Sequence, residues 1–329
     1  MSGSVNKKIG GEYGDVRANI DIQSLNVYLA QHTSNIHSPV DVKQFKVGQP
    51  WPQKYYALLT ADSLARGTKF VLRKKPAGQL LSKTAHQVER EYTMLHALHE
   101  FNLKPTTTAE QRVPVPEPIL LCEDNAVIGT PFYIMEFLDG RIFTDTRMLE
   151  VSPKDRRECW LSAVSTLAKL HSIIPDSIGL SKFGPSTDYF PRQIKSLSRV
   201  SGAQAVVKDI ESGKATGNVP FFDELVDWYR NNLPDEKKLG LRIVHGDYKL
   251  DNLIFHSTEN RVIGILDWEM CTLGSPLAVI SQGIAARYAR RQASSEQAYM
   301  HVDGFPVVGK LARIVLEDEG ISLTIKSKL

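Results

Sequence analysis

Polar side chains crowd residues 241–255, LRIVHGDYKLDNLIF, where two short apolar runs flank a loop too polar for ordinary packing. Phosphoryl transfer from ATP asks for a carboxylate to orient an acceptor hydroxyl, and for oxygen ligands that hold Mg²⁺ on the phosphates. Asp247 can serve as the carboxylate, and Asn252 can offer its amide oxygen to the metal. Residues 261–269, RVIGILDWE, pair naturally with residues 253–255 as a hairpin across the turn 256–260. That hairpin brings Asp267 near Asn252 as a second metal ligand. Amide oxygen, carboxylate, water and phosphate oxygens make the octahedral set that Mg²⁺ prefers. Asp and Asn are also common in ordinary turns, so it is the third group, Asp267 on its own strand, that points to chemistry.

Other elements must hold these groups in place. Residues 68–73, TKFVLR, have the β-rich look of a strand, followed by a loop containing Pro76 and Gly78. Residues 84–100 place Val88, Tyr92, Leu95 and Leu98 at helical spacing, which predicts one apolar face against a sheet. The proline-rich VPVPEP from Val113 cannot continue that helix and reads as an extended connector. Residues 131–137, PFYIMEF, resemble a buried strand entering the Asp139-Gly140 turn. Beyond it, residues 154–171 carry Trp160, Val164, Leu167 and Leu170 on one stripe, and residues 222–231 form a shorter amphipathic helix. Residues 182–217, rich in Gly, Ser and Lys, read as a mobile insertion.

The pattern predicts an α+β chain of two lobes: an arm and lead-in over residues 1–40, a small β-rich lobe over 41–140, and a helical lobe over 141–329. The helical lobe holds the loop 245–252, the strand 262–269 and an atypical tail, 279–329. With 329 residues, 42% of them hydrophobic and 23% charged, the chain has the composition of an ordinary globular protein, and no apolar run is long enough to cross a bilayer. The net charge of +3 gives no reason to expect a nucleic-acid partner. Cys122, Cys159 and Cys271 are widely spaced, which supports neither a disulfide framework nor a zinc site. Residues 1–19 lack the apolar stretch of a secretory signal and read as a flexible arm. Ser327-Lys328-Leu329 matches the peroxisomal import address, so the import receptor is an expected partner and the peroxisome the expected location, with the cytoplasm as the alternative.

Asn252 follows Asp247 by the interval that separates the Asp and Asn of the protein-kinase catalytic loop, and Lys249 sits where that loop often places a phosphate-facing lysine. The paired His-Gly-Asp…Asn and Asp-Trp-Glu motifs resemble the aminoglycoside phosphotransferase and choline kinase family. Within it, VLRKKPAGQLL from Val71, HQVEREY from His86, VIGTPFYIMEFLDGRIF from Val127 and VIGILDWEMCTLGSPLA from Val262 look like the kinase domain fused to acyl-CoA dehydrogenases of the family member 10 and 11 type. The resemblance implies a protein-kinase-like fold with ATP between the lobes. It matches Asp247 to the catalytic base, His245 to the loop-shaping histidine, and Asn252 and Asp267 to the Mg²⁺ ligands. It also implies a phosphate-gripping cation at Arg73 or Lys74, paired with Glu91, and a hinge at Met135, Glu136 and Phe137 that bonds adenine through its backbone. Strand alternation allows only one of Arg73 and Lys74 to face the cleft.

Two segments depart from that family. Its nucleotide loop, Gly-Gln-Ser-Asn, becomes Gly48-Gln49-Pro50-Trp51, which is stiffer and bulkier around Gln49. After Pro276-Leu277-Ala278 the family pattern is lost, and the segment from Gln282 resembles a part that usually lies much further along, as if intervening helices were missing. The resemblance implies an ATP-dependent kinase for a small-molecule hydroxyl, in a hydroxyacyl-CoA or a hydroxy acid. The alternatives are an aminoglycoside, choline or fructosamine acceptor, and a nucleotide-binding protein without catalysis.

Overall fold

The structure is a computed structural model that describes residues 13–14, 20–45, 55–61, 68–75, 87–145, 147–209, 212–233, 235–236 and 240–274. Gln49, the tail 279–329 and the tripeptide Ser327-Lys328-Leu329 lie outside the described residues. By chain contacts the protein divides into two compact units, each discontinuous in sequence. The first comprises residues 1–48, 53–184 and 242–276, and the second residues 49–52, 185–241 and 277–329.

In the first unit, β1 (Tyr13–Gly14), β2 (Val40–Phe45), β3 (Tyr55–Ala61), β4 (Thr68–Lys74), β5 (Pro118–Cys122) and β6 (Phe132–Glu136) form an antiparallel sheet in the order β1-β2-β3-β4-β6-β5. Alternation along β4 and β6 gives the sheet two faces. Phe70, Leu72, Phe132 and Ile134 share one buried cluster with Leu25 and Leu29 of α1 (Ile22–His32) and with Val127 and Ile128 of the short α3 (Asn125–Ile128). Residues 22–32 are thus a helix inside the segment read as arm and lead-in. It is capped by Asp21, whose side chain accepts from the Ser24 N–H at 3.0 Å, and its Leu25 and Leu29 give it something to pack on.

The other face meets α2 (Val88–Leu103), which buries Val88, Glu91, Met94, Leu95 and Leu98. The helix predicted from residue 84 starts at Val88, and residues 84–86 lie outside the described residues. α4 (Pro153–Ser172) is started by Ser152, whose hydroxyl accepts from the Asp155 N–H at 3.1 Å, with Pro153 in the first turn. Its buried stripe is Cys159, Ala163, Thr166 and Leu170. Of the predicted stripe, Leu170 is buried and Leu167 half-buried, but Trp160 and Val164 are exposed, because the packed face there lies one residue earlier, at Cys159 and Ala163.

Two smaller sheets complete this unit. β7 (Gly140–Arg141), β9 (Leu253–His256) and β10 (Val262–Ile265) lie in the order β10-β9-β7, and β8 (Arg242–Val244) pairs with β11 (Thr272–Gly274). The predicted hairpin is present, with Val262 opposite Phe255 and Ile265 opposite Leu253. Its turn is anchored by Asn260, which donates to Asp155 at 2.8 Å and Glu158 at 2.9 Å of α4 and accepts from Arg141 at 3.2 Å.

The second unit contains α5 (Tyr189–Ala205) and α6 (Phe222–Asn231). α5 fills much of the segment read as a mobile insertion. Its Tyr189, Phe190, Ser201 and Ala205 are buried, and the Glu236 carboxylate accepts from the N–H groups of Tyr189 and Phe190 at 3.0 and 2.8 Å. A carboxylate at the positive end of a helix offsets weak local propensity.

Candidate active site

The pairing of β8 with β11 lays the loop that follows β8 beside the segment that enters β11. Gly246 turns that loop with φ +83°, and a Cβ there would overlap the Met270 carbonyl. Only glycine fits both demands. His245, 1% exposed, accepts the Asp247 N–H at Nδ1 (3.3 Å), so its Nε2–H donates to the Leu266 carbonyl (2.9 Å). The Leu266 N–H donates to the Asn252 carbonyl at 2.9 Å. Asn252 Nδ2 donates to the Asp247 carbonyl at 2.8 Å and to its Oδ2 at 3.0 Å. These bonds close a ring through His245, Leu266, Asn252 and Asp247, so the loop and the Asp267 strand are set by one network. The Trp268 indole, buried and 4.6 Å from the His245 ring between centroids, donates to the Ile265 carbonyl at 3.0 Å and closes the far side.

Within this frame Asp247 Oδ2 also faces Lys249 Nζ at 3.4 Å, and Lys249 meets Asp251 at 3.3 Å. Burial raises the Asp247 carboxyl above its ordinary pKa and the charge of Asp267 adds to the rise, while Lys249 and the Asn252 bond hold it back. Burial alone would lower the Lys249 ammonium, but Asp247 and Asp251 outweigh it and raise it.

Asp267 sits in the left-handed region, φ 68° and ψ 60°, an uncommon conformation for a residue with a Cβ and one that clusters at functional sites. Its Oδ1 accepts from both Nη1 and Nη2 of Arg73 at 3.3 Å, while Nη1 also pairs with Glu91 at 2.6 Å and Nη2 also reaches Glu269 at 3.4 Å. One buried guanidinium therefore joins three carboxylates. Tyr133 of β6 donates to the same Glu91 oxygen at 3.2 Å, and burial, then the Glu91 charge, push its phenol well above the usual range.

Strand register separates Arg73 from Lys74, and it is Arg73 that pairs with Glu91. Arg73 lies opposite Tyr133 on the α2 side, and Lys74 opposite Phe132. Lys74 is buried, and burial lowers its ammonium. At the segment expected to be the hinge, Met135 is buried within β6, the Glu136 N–H donates to the Glu117 carbonyl at 2.8 Å, and the Phe137 N–H to the Lys69 carbonyl at 3.3 Å. Those two N–H groups already bond to neighbouring stretches of backbone. Sequence reasoning did not single out Tyr133, Glu269 or Arg90. The Asp-Trp-Glu motif held a signal for Glu269, and the strand alternation of β6 held one for Tyr133.

The donor chemistry suits a hard cation. Asn252 spends its Nδ2 on Asp247, which leaves the amide oxygen as the ligand end, and Asp267 adds a carboxylate. Among the described residues, no group of three or more His, Cys, Asp or Glu side chains could hold a metal. An amide oxygen beside one carboxylate is a set suited to Mg²⁺, which is usually bound by one or two carboxylates together with substrate phosphates and water.

Residues 53–307 match the phosphotransferase enzyme family, APH, and the chain belongs to that family. It is 38% identical over 315 residues to "Probable acyl-CoA dehydrogenase IBR3" of Arabidopsis thaliana, covering 92% of this chain and 35% of that protein. It is 34% identical over 309 residues to acyl-CoA dehydrogenase family member 11 of Homo sapiens, covering 92% of this chain and 36% of that one. The chain thus spans about a third of the length of the curated relatives it matches. Among solved structures, a candidate aminoglycoside phosphotransferase from Ralstonia eutropha aligns with TM-score 0.68 and 27% identity, over 89% of this chain and 97% of its own. A ternary complex of streptomycin, ATP and APH(2")-IIa shares the fold with TM-score 0.50 and 16% identity, over 92% of this chain and 88% of its own.

Proposed function

We propose that this chain is an ATP-dependent kinase that phosphorylates the hydroxyl of a hydroxyacyl-CoA or a related hydroxy acid. The observation that carries the chemistry is the bonded ring that fixes Asp247, Asn252 and the Asp267 strand, with Arg73 bridging Asp267 to Glu91. Asn252 Oδ1 and the Asp267 carboxylate would hold Mg²⁺, which when bound neutralises charge on the phosphates.

Asp247 has Oδ2 engaged by Asn252 and Lys249, and no described residue donates to Oδ1. Oδ1 is then the oxygen that receives the acceptor hydroxyl. That hydroxyl oxygen attacks the γ-phosphorus, the bond to the ADP oxygen breaks, and the proton passes to Asp247. Arg73 would keep Glu91 through Nη1 and turn Nη2, now shared by Asp267 and Glu269, to a phosphate oxygen. A planar fork with two usable edges does this better than a lysine ammonium. The acyl-CoA part of the reading is supported by relatives named for acyl-CoA dehydrogenation. Delivery to the peroxisome through Ser327-Lys328-Leu329 belongs to the same proposal.

The test is ADP release from ATP and Mg²⁺ with a panel of 4-hydroxyacyl-CoAs, hydroxy acids, aminoglycosides and choline. Turnover with hydroxyacyl-CoA or hydroxy-acid members only, lost by roughly 10²–10⁴-fold in Asp247→Asn, is the expected result. ATP binding with no turnover above that variant would overturn the kinase reading, and turnover confined to cationic acceptors would overturn the substrate class.

A further inference from the structure

Glu91 can act only if the first turn of α2 stays at a fixed distance from the strand that bears Asp267. Its neighbour Arg90 points to the device that keeps it there. Arg90 Nη1 donates to the Phe183 carbonyl at 2.7 Å, and Nη2 reaches the Cys271 carbonyl at 3.5 Å. The guanidinium also lies over the Phe183 ring, 4.0 Å from its centroid. Cys271 in turn closes the short turn after Asp267, its N–H donating to the Trp268 carbonyl at 3.0 Å. A single side chain therefore ties the helix turn that carries Glu91 to the end of the segment that carries Asp267 and Glu269.

We infer that Arg90 is a positioning residue: it sets the spacing of Glu91 and Asp267 that Arg73 spans, and it touches neither nucleotide nor acceptor. Its catalytic meaning rests on the kinase reading, while its mechanical role does not. Two donors and a flat face are needed at once, which guanidinium supplies and ammonium does not. Arg90 also borders a cleft of about 310 Å³ lined with Glu89, Thr93, Leu180, Lys182 and Phe183. Truncating it should therefore widen an open cleft and not leave a sealed void, so the variant is expected to fold.

Hydrogen exchange of the full chain without ligand is the first measurement. In Arg90→Ala, peptides spanning 88–92 and 267–271 should exchange faster while 97–103 keeps its wild-type rate, and Arg90→Lys should fall between. Wild-type exchange in both segments would overturn the inference, as would a uniform increase along the chain. Turnover gives the second measurement. Arg90→Ala should lose about 10–100-fold, since small misplacements far from the chemistry cost that much, and Arg90→Ala/Glu91→Ala should lose no more than Glu91→Ala alone. Losses that multiply would show that Arg90 does not act through Glu91. If the wild-type protein turns nothing over, the kinase reading fails by itself and the exchange data still decide the role of Arg90.

Discussion

Replacing Arg73 by Met removes one cation from among three carboxylates, and the consequences differ at each. The Arg73 side chain is 3% exposed and Glu91 is fully buried, whereas Asp267 and Glu269 keep 12% and 13% of their surface. Water can partly screen the latter two, but Glu91 would be left as a buried charge without its 2.6 Å partner. Breaking a buried pair from one side costs about 3–5 kcal/mol. At roughly 2–4 °C per kcal/mol for a unit of 150–250 residues, the expected fall in Tm is ~6–20 °C. Removing both charges tells a different story, because an apolar pair of similar volume is often neutral. Arg73→Met/Glu91→Leu should therefore recover most of the loss. The remainder reflects the Tyr133 hydroxyl left without its acceptor, a penalty of about 1–3 kcal/mol, so adding Tyr133→Phe should recover that as well. Thermal unfolding of the single, double and triple variants is the assay. A double variant less stable than Arg73→Met would refute the reasoning, because it would mean the pair is not balanced by mutual desolvation.

Three further expectations rest on charge and address. Burial raises the Asp247 carboxyl, so turnover should fall on acidification at a pH above the ordinary Asp value of about 3.9. Lys249→Met removes the charge that holds that carboxyl down and should move this acid limb higher still; an unmoved limb in the pH–rate profile would separate Lys249 from Asp247. The sign for stability is opposite: the fold favours protonated Asp247, a contribution present below the unfolded pKa and lost as pH rises through the folded one. Asp247→Asn should therefore be no less stable than wild type near pH 7 in a thermal melt. For location, a fluorescent protein fused to the N-terminus should mark peroxisomes and lose them when residues 327–329 are deleted, and a diffuse signal from the intact chain would remove that assignment.

How much was legible depended on whether a residue's role was local. The spacing of Asp247 and Asn252, and the hairpin that returns Asp267, sit within a short stretch, and the bonded ring joins those segments. Arg73 and Lys74 could not be separated by one strand alone, because the choice needed the face occupied by Leu72 and the register with β6. α4 offered two adjacent stripes at the same spacing. The bulkier one drew the prediction, while the smaller Cys159, Ala163 and Thr166 are the ones that pack. α5 was hidden by its polar, small-residue composition, since its start is held by Glu236, far along the chain. Arg90 had no signal at all, as its acceptors are backbone carbonyls that any residue could provide.

The chain leaves the first unit after Gly184 and re-enters it at Arg242. What lies between is, in sequence, an insertion between the pieces that build the phosphate chemistry. Closing a longer loop costs only about 0.6 kcal/mol for each doubling of its length. Closure entropy alone therefore puts little penalty on a change of length between Gly184 and Arg242, while Arg73 and Asp267 continue to meet. For this protein, chimaeras that swap residues 185–241 are the economical way to ask what that segment selects.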